Sequence, residues 1–217
     1  MTLVRPTLYP KRNSSKETKM KNTKTQTLTR LAILSALIFL LCNLPIKIGI
    51  IEITLGMIPV AIGAITMGTT GGIVLGAVFG TASLLQCFGI FIPSSFGQTV
   101  LSINPFFTVL LCYLPRILMG LLVALIFKAF NKKNAVAYGT SALSAAVLNT
   151  IFFVPLAMLL FWNTDYFKGL CEFFGTDNFF LFAAAFAGIN AVVEAIVCCI
   201  LGGAGAKAVD TINKRLK

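Results

Sequence analysis

Long apolar stretches are the feature that constrains this chain most. Several of them approach or exceed the roughly 20 apolar residues that a helix needs to cross a bilayer. Hydrophobic residues make up 57% of the chain and charged residues only 12%, a balance that excludes a soluble globular domain. The sequence therefore predicts an all-α integral membrane protein.

The positive charge is concentrated in a few places. Eight of the 18 Lys and Arg residues lie in the first 30 positions, and four more follow Gly205. Basic residues that flank apolar stretches are typical of cytoplasmic segments that are attracted to anionic lipid headgroups. We therefore expect a lipid bilayer as the partner of these segments and no nucleic acid.

The apolar pattern predicts six membrane-spanning helices, at 27–44, 54–68, 71–88, 104–128, 135–162 and 179–206. The second of them is short. The uncharged turn "GTTGG" separates it from the third, so we expect these two to form a tight helical hairpin.

The basic residues predict the orientation. The N-terminal segment, the loop "KAFNKKN" after the fourth helix and the C-terminal "KRLK" are strongly basic, and an even number of helices places all three on one side. By the positive-inside rule that side is the cytoplasm. We expect a disordered cytoplasmic tail at 1–26, a six-helix domain at 27–206 and a basic cytoplasmic C-terminus at 207–217, in a bacterial cell membrane.

The loops 45–53, 89–103 and 163–178 are expected outside the cell. They are apolar and aromatic, and such loops tend to fold back over something. The alternative is that their aromatic residues anchor the protein at the membrane interface. We expect loop 45–53 to act as a lid, with Pro45 and Gly49 as flexible ends and Lys47 attracting an anion.

The residues that usually carry catalysis or bind metals are scarce. The chain has no histidine, five of its six cysteines lie inside the predicted helices, and Glu194 is the only acid in a predicted helix. We expect no catalytic residue, no metal site and no cofactor. An intramembrane enzyme, the competing hypothesis, would need paired acids or a nucleophile with a base at mid-depth.

Two opposite charges are predicted at the same depth. Arg116 lies twelve residues from Lys128, and Glu194 lies thirteen from Lys207. At about 1.5 Å of rise per residue, both are about 18–20 Å from the cytoplasmic face. Because an unpaired charge at this depth is costly, we expect Arg116 to pair with Glu194.

Further polar residues are predicted between this depth and the outer surface. Asn190 lies one turn beyond Glu194, Asn149 reaches a similar level, and Asn104 lies at the outer mouth of the fourth helix. A polar column in only half of the membrane predicts a binding pocket that opens outward, formed by these residues with Lys47. The alternative is that they only hold helices together. Pro115 is expected to free the carbonyl of Leu111 and to kink the helix beside the pocket.

Small residues mark three helices. Ala32 and Ala36 form a strip where another helix can approach closely. The segments "AVAYGTSALSAA" and "LGGAGAKA" in the fifth and sixth helices are equally compatible with internal packing.

Several motifs, in this order, resemble the substrate-binding S components of energy-coupling factor (ECF) vitamin importers. They are the Ala-x-x-x-Ala of the first helix, then "IPVAIGAITMGTTGGIVLGAVFGTASLL" at 58–85, "NPFFTVLLCYLPRILMG" at 104–120, "LNTIF" at 148–152 and "INAVVEAIV" at 189–197. The resemblance covers 27–206 and is nearest to the pantothenate- and folate-type branch, with pantothenate the nearer fit.

This resemblance implies a six-helix protein that binds a vitamin from outside and associates with a transmembrane coupling subunit and two cytoplasmic ATPases. It implies that Ala32 and Ala36 contact the coupling subunit and that the S component itself hydrolyses nothing. Another vitamin, such as folate or riboflavin, stays open as the substrate. A solitary secondary transporter is a further alternative, but the internal repeats typical of that class are not evident in the sequence.

Overall fold

The computed structural model describes residues 14–44, 47–48, 51–52, 54–130, 134–176 and 178–215. Helices account for nearly all of them: α1 (Ser14–Cys42), α2 (Met57–Cys87), α3 (Ser95–Ile103), α4 (Pro105–Ala129), α5 (Ala135–Phe161), α6 (Asp165–Phe174), α7 (Phe179–Val197) and α8 (Gly203–Arg215). A π-helical turn, Cys198–Gly202, joins α7 to α8. Two short antiparallel strands, β1 (Lys47–Ile48) and β2 (Ile51–Glu52), precede α2.

Five helical segments are long and apolar enough to cross a membrane, within the residues that the structure describes. They are Thr25–Cys42, Met57–Cys87, Pro105–Ala129, Ala135–Phe161 and Ala191–Ile212. The all-helical membrane architecture agrees with the sequence analysis. The count is five because the expected spans 54–68 and 71–88 both fall within α2.

Helix α2 contains the chain reversal that the sequence predicts. Gly68 has a φ of 75° and a ψ of −158°, which a helix does not allow and which a residue with a side chain rarely adopts. A Cβ built on Gly71 would lie 2.8 Å from the carbonyl oxygen of Gly63, although a straight helix would separate these residues by about 12 Å along its axis. The segments before and after Gly68 therefore fold back on each other, and we call them the first and second arms of α2.

The second arm packs against α4 along a stripe of three glycines. Gly72, Gly76 and Gly80 approach the backbone of α4 at Gly120, Arg116 and Cys112, respectively. A Cβ on Gly76 would lie 2.5 Å from the carbonyl oxygen of Arg116, and one on Gly80 would lie 2.9 Å from that of Cys112. The spacing of four residues on both helices lets the two backbones approach closely over two turns. This contact fixes the height of Arg116 relative to α2.

The small residues of the fifth and sixth predicted helices serve internal packing. A Cβ on Gly203 would lie 3.0 Å from the Cα of Gly139, and one on Gly202 would lie 3.1 Å from the Cβ of Ala142. This outcome agrees with the internal-packing interpretation of both segments. The end of α8 is further held by the Tyr138 hydroxyl, which donates to Asp210 Oδ2 at 2.5 Å.

Helix α1 begins at Ser14, earlier than the expected span at 27. The segment from Ser14 to Leu44 contains neither glycine nor proline, so nothing in it ends a helix before the apolar part begins. Residues 14–26, which we expected to be disordered, are therefore helical, whereas residues 1–13 lie outside the described part of the chain.

Loops 89–103 and 163–178 each contain a short helix. In α6, the side chain of Thr164 accepts a hydrogen bond from the Phe167 amide, and Gly175, with a φ of 64°, ends the helix. Phe167 and Cys171 lie on one face of α6 and are buried, whereas Lys168 and Glu172 are exposed. The amphipathic helix therefore packs back onto the bundle, as expected for loop 163–178.

The aromatic residues of this region form one cluster, which we call the aromatic cluster: Phe96, Phe107, Phe153, Phe161, Trp162, Tyr166, Phe167, Phe174 and Phe182. Phe96 of α3 contacts Phe153 of α5 and Phe167 of α6, with ring centroids 5.9 and 6.2 Å apart. Phe161, Phe167 and Phe182 are almost completely buried. These three aromatic residues therefore pack inside the protein and do not act as interface anchors.

We predict that Gly76→Ala lowers the melting temperature of the detergent-solubilised protein. The added methyl group would overlap a backbone carbonyl that cannot rotate away, and overpacking of this kind typically costs about 1–3 kcal/mol. Gly188→Ala in α7 is the control, because a Cβ there meets no described atom within 4 Å. An unchanged or higher melting temperature for Gly76→Ala would show that α2 and α4 are not in close contact.

Candidate functional site

Arg116 lies at the centre of the candidate site, on α4. Its side chain is only 6% exposed. Nη1 donates to the carbonyl oxygen of Leu111 at 2.6 Å, and Nη2 donates to Ser83 Oγ at 3.2 Å. The carbonyl of Leu111 is available because Pro115, four residues later, has no amide hydrogen to donate to it. The side chain of Arg116 thus donates to the carbonyl that Pro115, its neighbour in the chain, leaves without a backbone donor.

Two aromatic rings flank the guanidinium group. Its Cζ lies 4.6 Å from the ring centroid of Phe153 and 5.6 Å from that of Phe79. Cation–π contacts at these distances favour the charged group and are stronger where water is excluded. Phe153 also joins the guanidinium to the aromatic cluster through Phe96.

The second arm of α2 supplies two of the residues that contact the guanidinium, Phe79 and Ser83. Phe79 and Ser83 follow Gly76 by three and seven residues, so all three lie on the helix face that packs against α4. The close approach at Gly76 brings this face near enough for Ser83 to reach the guanidinium. Ser83 and Phe79 thus orient the Arg116 side chain toward the α3–α6 end of the bundle.

Two polar atoms in this region have no hydrogen-bond partner within the described part of the chain. They are Nε of Arg116 and Oδ1 of Asn149, and both are buried. Phe127 contacts Tyr138 with ring centroids 5.0 Å apart, which marks equal heights on the antiparallel helices α4 and α5. Arg116 and Asn149 each lie eleven residues from that contact, so they share one height. A buried donor and a buried acceptor that no described group satisfies make this level a candidate for polar contacts.

The expected ion pair between Arg116 and Glu194 is not formed. Among the described side chains, no ion pair joins these two residues. Glu194 Oε1 instead accepts hydrogen bonds from the amide and the hydroxyl of Thr54, at 2.8 and 2.9 Å. Helix α7 packs mainly against α5. The pair was predicted from depth alone, and depth does not determine which neighbour a side chain faces.

The remaining predicted site residues have separate positions. Asn104 caps α4, and its Oδ1 accepts a hydrogen bond from the Phe107 amide at 3.2 Å. Lys47 pairs with Glu52 in the strand register. The side chains of Lys47 and Asn190 lie outside the described part of the chain, as do the expected lid ends Pro45 and Gly49.

Ala32 and Ala36 are exposed on α1. Leu28 and Leu40, which continue the same i, i+4 row, are 69% and 63% exposed, whereas Ile38 on the packed face is fully buried. The alanine strip is therefore not used for packing within the described structure.

The chain matches the family model described as the ECF transporter, substrate-specific component, over residues 26–202. The chain belongs to this family. It is 27% identical over 164 residues to the pantothenic acid transporter PanT of Lactococcus lactis subsp. cremoris, a match that covers 68% of this chain and 72% of that protein. It is 29% identical over 155 residues to the pantothenate transporter PanT of Leuconostoc mesenteroides subsp. mesenteroides, covering 65% of this chain and 72% of that protein.

Membership of this family bears on the kind of protein, not on individual residues. The family is a transporter component that determines substrate specificity, which favours transport over the hypothesis of an intramembrane enzyme. In this ECF component, α4, α5 and the second arm of α2 supply the groups that surround Arg116.

A separate apolar groove of about 330 Å³ lies between α4 and α5. Its lining is entirely apolar and includes Leu114, Pro115, Ile151 and Pro155. Leu114 and Ile151 are 39% and 54% exposed, which places the groove on the lipid-facing surface. A groove without polar groups would hold a lipid chain better than a vitamin, so we do not assign it to the binding site.

Sequence reasoning missed four residues that shape the site: Ser83, Phe79, Phe153 and Thr54. The first two follow the glycine stripe at helical spacing, so the stripe itself was the signal that could have identified them. Phe153 lies one turn from Asn149 on the same face of α5. Thr54 is the first residue of the expected span 54–68, and no pattern in the sequence indicates its contact with Glu194.

We predict that the losses in melting temperature caused by Arg116→Gln and Glu194→Gln add up in the double variant. Residues that share no contact are usually additive within about 0.5 kcal/mol. Arg116→Gln with Ser83→Ala is the positive control, because these two side chains are hydrogen-bonded and should couple. Recovery of stability in the double Gln variant would mean that the ion pair forms in solution.

Proposed function

We propose that this chain is the membrane subunit that captures pantothenate from outside a bacterial cell, for ATP-driven uptake with a transmembrane coupling subunit and two cytoplasmic ATPases. The observation that carries the proposal is the buried guanidinium of Arg116. Among the described residues, neither its Nε nor Asn149 Oδ1, which lies at the same height, has a hydrogen-bond partner. Family membership and two relatives named for pantothenate transport support the same conclusion.

The chemistry of pantothenate suits these two atoms. The molecule carries a carboxylate at one end, an amide in the middle and two hydroxyl groups at the other end. Arg116 Nε donates to the carboxylate, a charge-assisted hydrogen bond, and Asn149 Oδ1 accepts from a hydroxyl or the amide. The rings of Phe79 and Phe153 keep water away and so strengthen the charged contact.

The rest of the predicted site lies around this pair. Asn190 belongs to the same polar level, and Lys47 and Asn104 belong to the outer mouth, where a cation attracts the anionic vitamin. Glu194 borders the site, although its Oε1 is already bonded to Thr54.

We propose six membrane spans with both termini in the cytoplasm. The two arms of α2 count as separate spans, since the chain reverses at Gly68. The basic N-terminal segment, the loop between α4 and α5 and the basic C-terminus then share the cytoplasmic side, as the positive-inside rule requires. The site opens to the outside below α3 and α6.

The exposed alanine strip of α1 is the contact with the coupling subunit. Ala32 and Ala36 present no bulk, so a helix of the coupling subunit can approach the α1 backbone closely. This surface is separate from the ligand site, which lies among α2, α4 and α5.

We predict that Arg116→Lys weakens pantothenate binding by about tenfold or more, measured by calorimetry on the purified full chain. Lysine keeps the charge, but one ammonium group cannot bond Leu111 and still present a donor at the position of Nε. Panthenol, in which an alcohol replaces the carboxylate, identifies the group that is recognised. The native protein should prefer pantothenate to panthenol, and Arg116→Gln should lose this preference.

Lys168→Gln is the matched control, because Lys168 is an exposed cation paired only with Asp165 on α6. It should bind pantothenate as the native protein does. If Arg116→Gln keeps its preference for pantothenate over panthenol, Arg116 does not contact the carboxylate. Tighter binding of folate or riboflavin than of pantothenate by the native protein would replace the proposed substrate.

We predict that Ala32→Trp or Ala36→Trp abolishes pantothenate uptake by cells while binding to the isolated protein stays within about threefold of native, because bulk on α1 blocks helix approach. Ala184→Trp is the control, since Ala184 is an exposed alanine on α7 and should affect neither measurement. A parallel loss of binding in the α1 variants would make the strip part of the internal packing.

A further inference from the structure

Two cysteines lie side by side where the second arm of α2 meets α4. The sulfurs of Cys87 and Cys112 are 3.9 Å apart, although the two residues are 25 positions apart in the chain. Cys87 is 5% exposed and Cys112 is 3% exposed. An S–S bond is about 2.05 Å long, so the two sulfurs need to approach each other by only about 2 Å to form a disulfide.

The contact repeats the geometry of the Arg116 site one turn further along both helices. Gly80 meets the backbone of α4 at Cys112, and Cys87, seven residues after Gly80, contacts the Cys112 side chain. Arg116 has the same kind of neighbours, a glycine against its backbone and, seven residues after that glycine, Ser83 against its side chain. A change at the sulfur pair therefore acts one turn away from the hydrogen bond between Ser83 and Arg116.

The position of the pair suits a small oxidant that comes from outside the cell. Cys87 ends α2, and on the proposed topology the following loop, 89–103, lies outside, where oxidising surroundings let disulfides persist. Helix α3 of that loop packs over the pair, since a Cβ on Gly97 would lie 2.6 Å from the Cys87 sulfur. A reagent that reaches these sulfurs must therefore be small.

We propose that Cys87 and Cys112 are a modification site, which a hydroperoxide converts reversibly into a disulfide, and that this disulfide weakens ligand binding at Arg116. Only the effect on binding rests on the proposed function. The formation of the disulfide does not depend on which ligand the protein binds.

The reaction needs one hydroperoxide for each disulfide. Hydrogen peroxide transfers one oxygen to one of the two sulfurs, which becomes a sulfenic acid, and its other oxygen leaves as water. The second sulfur then attacks the first, the S–S bond forms, the S–O bond breaks, and the hydroxyl group leaves as water with the remaining thiol proton. Two thiols are oxidised and one peroxide is reduced to two waters. A dithiol such as dithiothreitol reverses the change by thiol–disulfide exchange.

The disulfide acts on the site through the packing between the two helices. Drawing the sulfurs together moves the second arm of α2 against α4, and the contact at Gly80 leaves no free space to absorb the movement. Ser83 lies one turn before Cys87 and moves with it, so its hydroxyl leaves the position from which it accepts a hydrogen bond from Arg116 Nη2. The guanidinium then loses one of the groups that orient it.

The test oxidises the purified full chain with hydrogen peroxide. Mass spectrometry after blocking of the free thiols shows which cysteines are joined. The melting temperature and pantothenate binding by calorimetry are measured before oxidation, after it, and after dithiothreitol. Cys87→Ala and Cys112→Ala each remove one sulfur of the pair. Cys198→Ala is the matched control, because Cys198 is a buried cysteine of the π-helical turn and the variant keeps the pair.

We expect oxidation of the native protein to join Cys87 to Cys112 and to raise the melting temperature by about 5 °C, because the disulfide closes a loop of the chain. Pantothenate binding should weaken about fivefold, the effect of losing one hydrogen bond at the guanidinium. Dithiothreitol should reverse both changes, which separates them from methionine oxidation. Cys198→Ala should respond as the native protein does, whereas Cys87→Ala and Cys112→Ala should bind pantothenate equally before and after oxidation.

Free thiols at both positions after oxidation, or a disulfide to a different cysteine, would overturn the proposal. A disulfide that leaves binding unchanged would overturn the link to Arg116, and so would an equal loss of binding in oxidised Cys87→Ala. Should an alanine variant fail to fold, the native protein before and after dithiothreitol decides the question. If the native protein does not bind pantothenate, the proposed function fails, and the disulfide mapping and the melting temperature still test the pair.

Discussion

The hydrogen bond from Arg116 to the carbonyl of Leu111 is the interaction on which the site depends. A guanidinium within an apolar helix bundle needs acceptors, and α4 provides one because Pro115 cannot donate to Leu111. Proline alone would leave a buried carbonyl without a partner, and arginine alone would leave a buried charge without one. Placed side by side, each satisfies the requirement of the other, and no carboxylate among the described side chains forms an ion pair with the cation.

This arrangement requires α2 to approach α4 very closely. Ser83 and Phe79 reach the guanidinium only because Gly76 lets the backbone of α2 meet the backbone of α4 at Arg116 itself. The hydrogen bond between Thr81 Oγ1 and the Tyr113 hydroxyl, 2.9 Å long, holds the same interface one turn further along. The glycine stripe is therefore part of the site's construction, although no glycine carries a functional group. The close packing that the stripe allows determines where the charged side chain of Arg116 lies.

The sequence predicts the features that are encoded in one continuous segment, such as apolar stretches and turns. It does not predict contacts between residues that are far apart in the chain. The apolar stretches and the reversal at the glycine-rich turn follow from composition. The relative depth of Arg116 and Asn149 does not, because the sequence analysis placed Asn149 about one turn further out than Arg116, whereas both lie eleven residues from the Phe127–Tyr138 contact. The partner of Glu194 does not follow either, because helix rise gives height but not the direction in which a side chain points. Thr54 begins the expected span 54–68 but precedes the helix itself, which starts at Met57, and only the folded chain brings it to Glu194. The polar residues 14–26 were expected to be disordered, but α1 begins at Ser14. Polarity did not predict this, because a polar segment without glycine or proline can continue the helix of the apolar segment that follows it.

The short first arm of α2 explains why a carboxylate is buried at all. From Met57 to Met67 the arm has eleven residues, about 16 Å of helix, roughly half of the bilayer's apolar thickness. Residues 57–65 are all buried, so the arm is core packing and has no lipid-facing side. On the proposed topology, so short an arm begins at mid-depth, and the chain that leads into it carries unpaired backbone groups down to that level. Backbone of this kind is tolerated only where another part of the protein satisfies it. Glu194 does so for the Thr54 amide, which explains the buried acid by the short first arm and not by a pairing with Arg116.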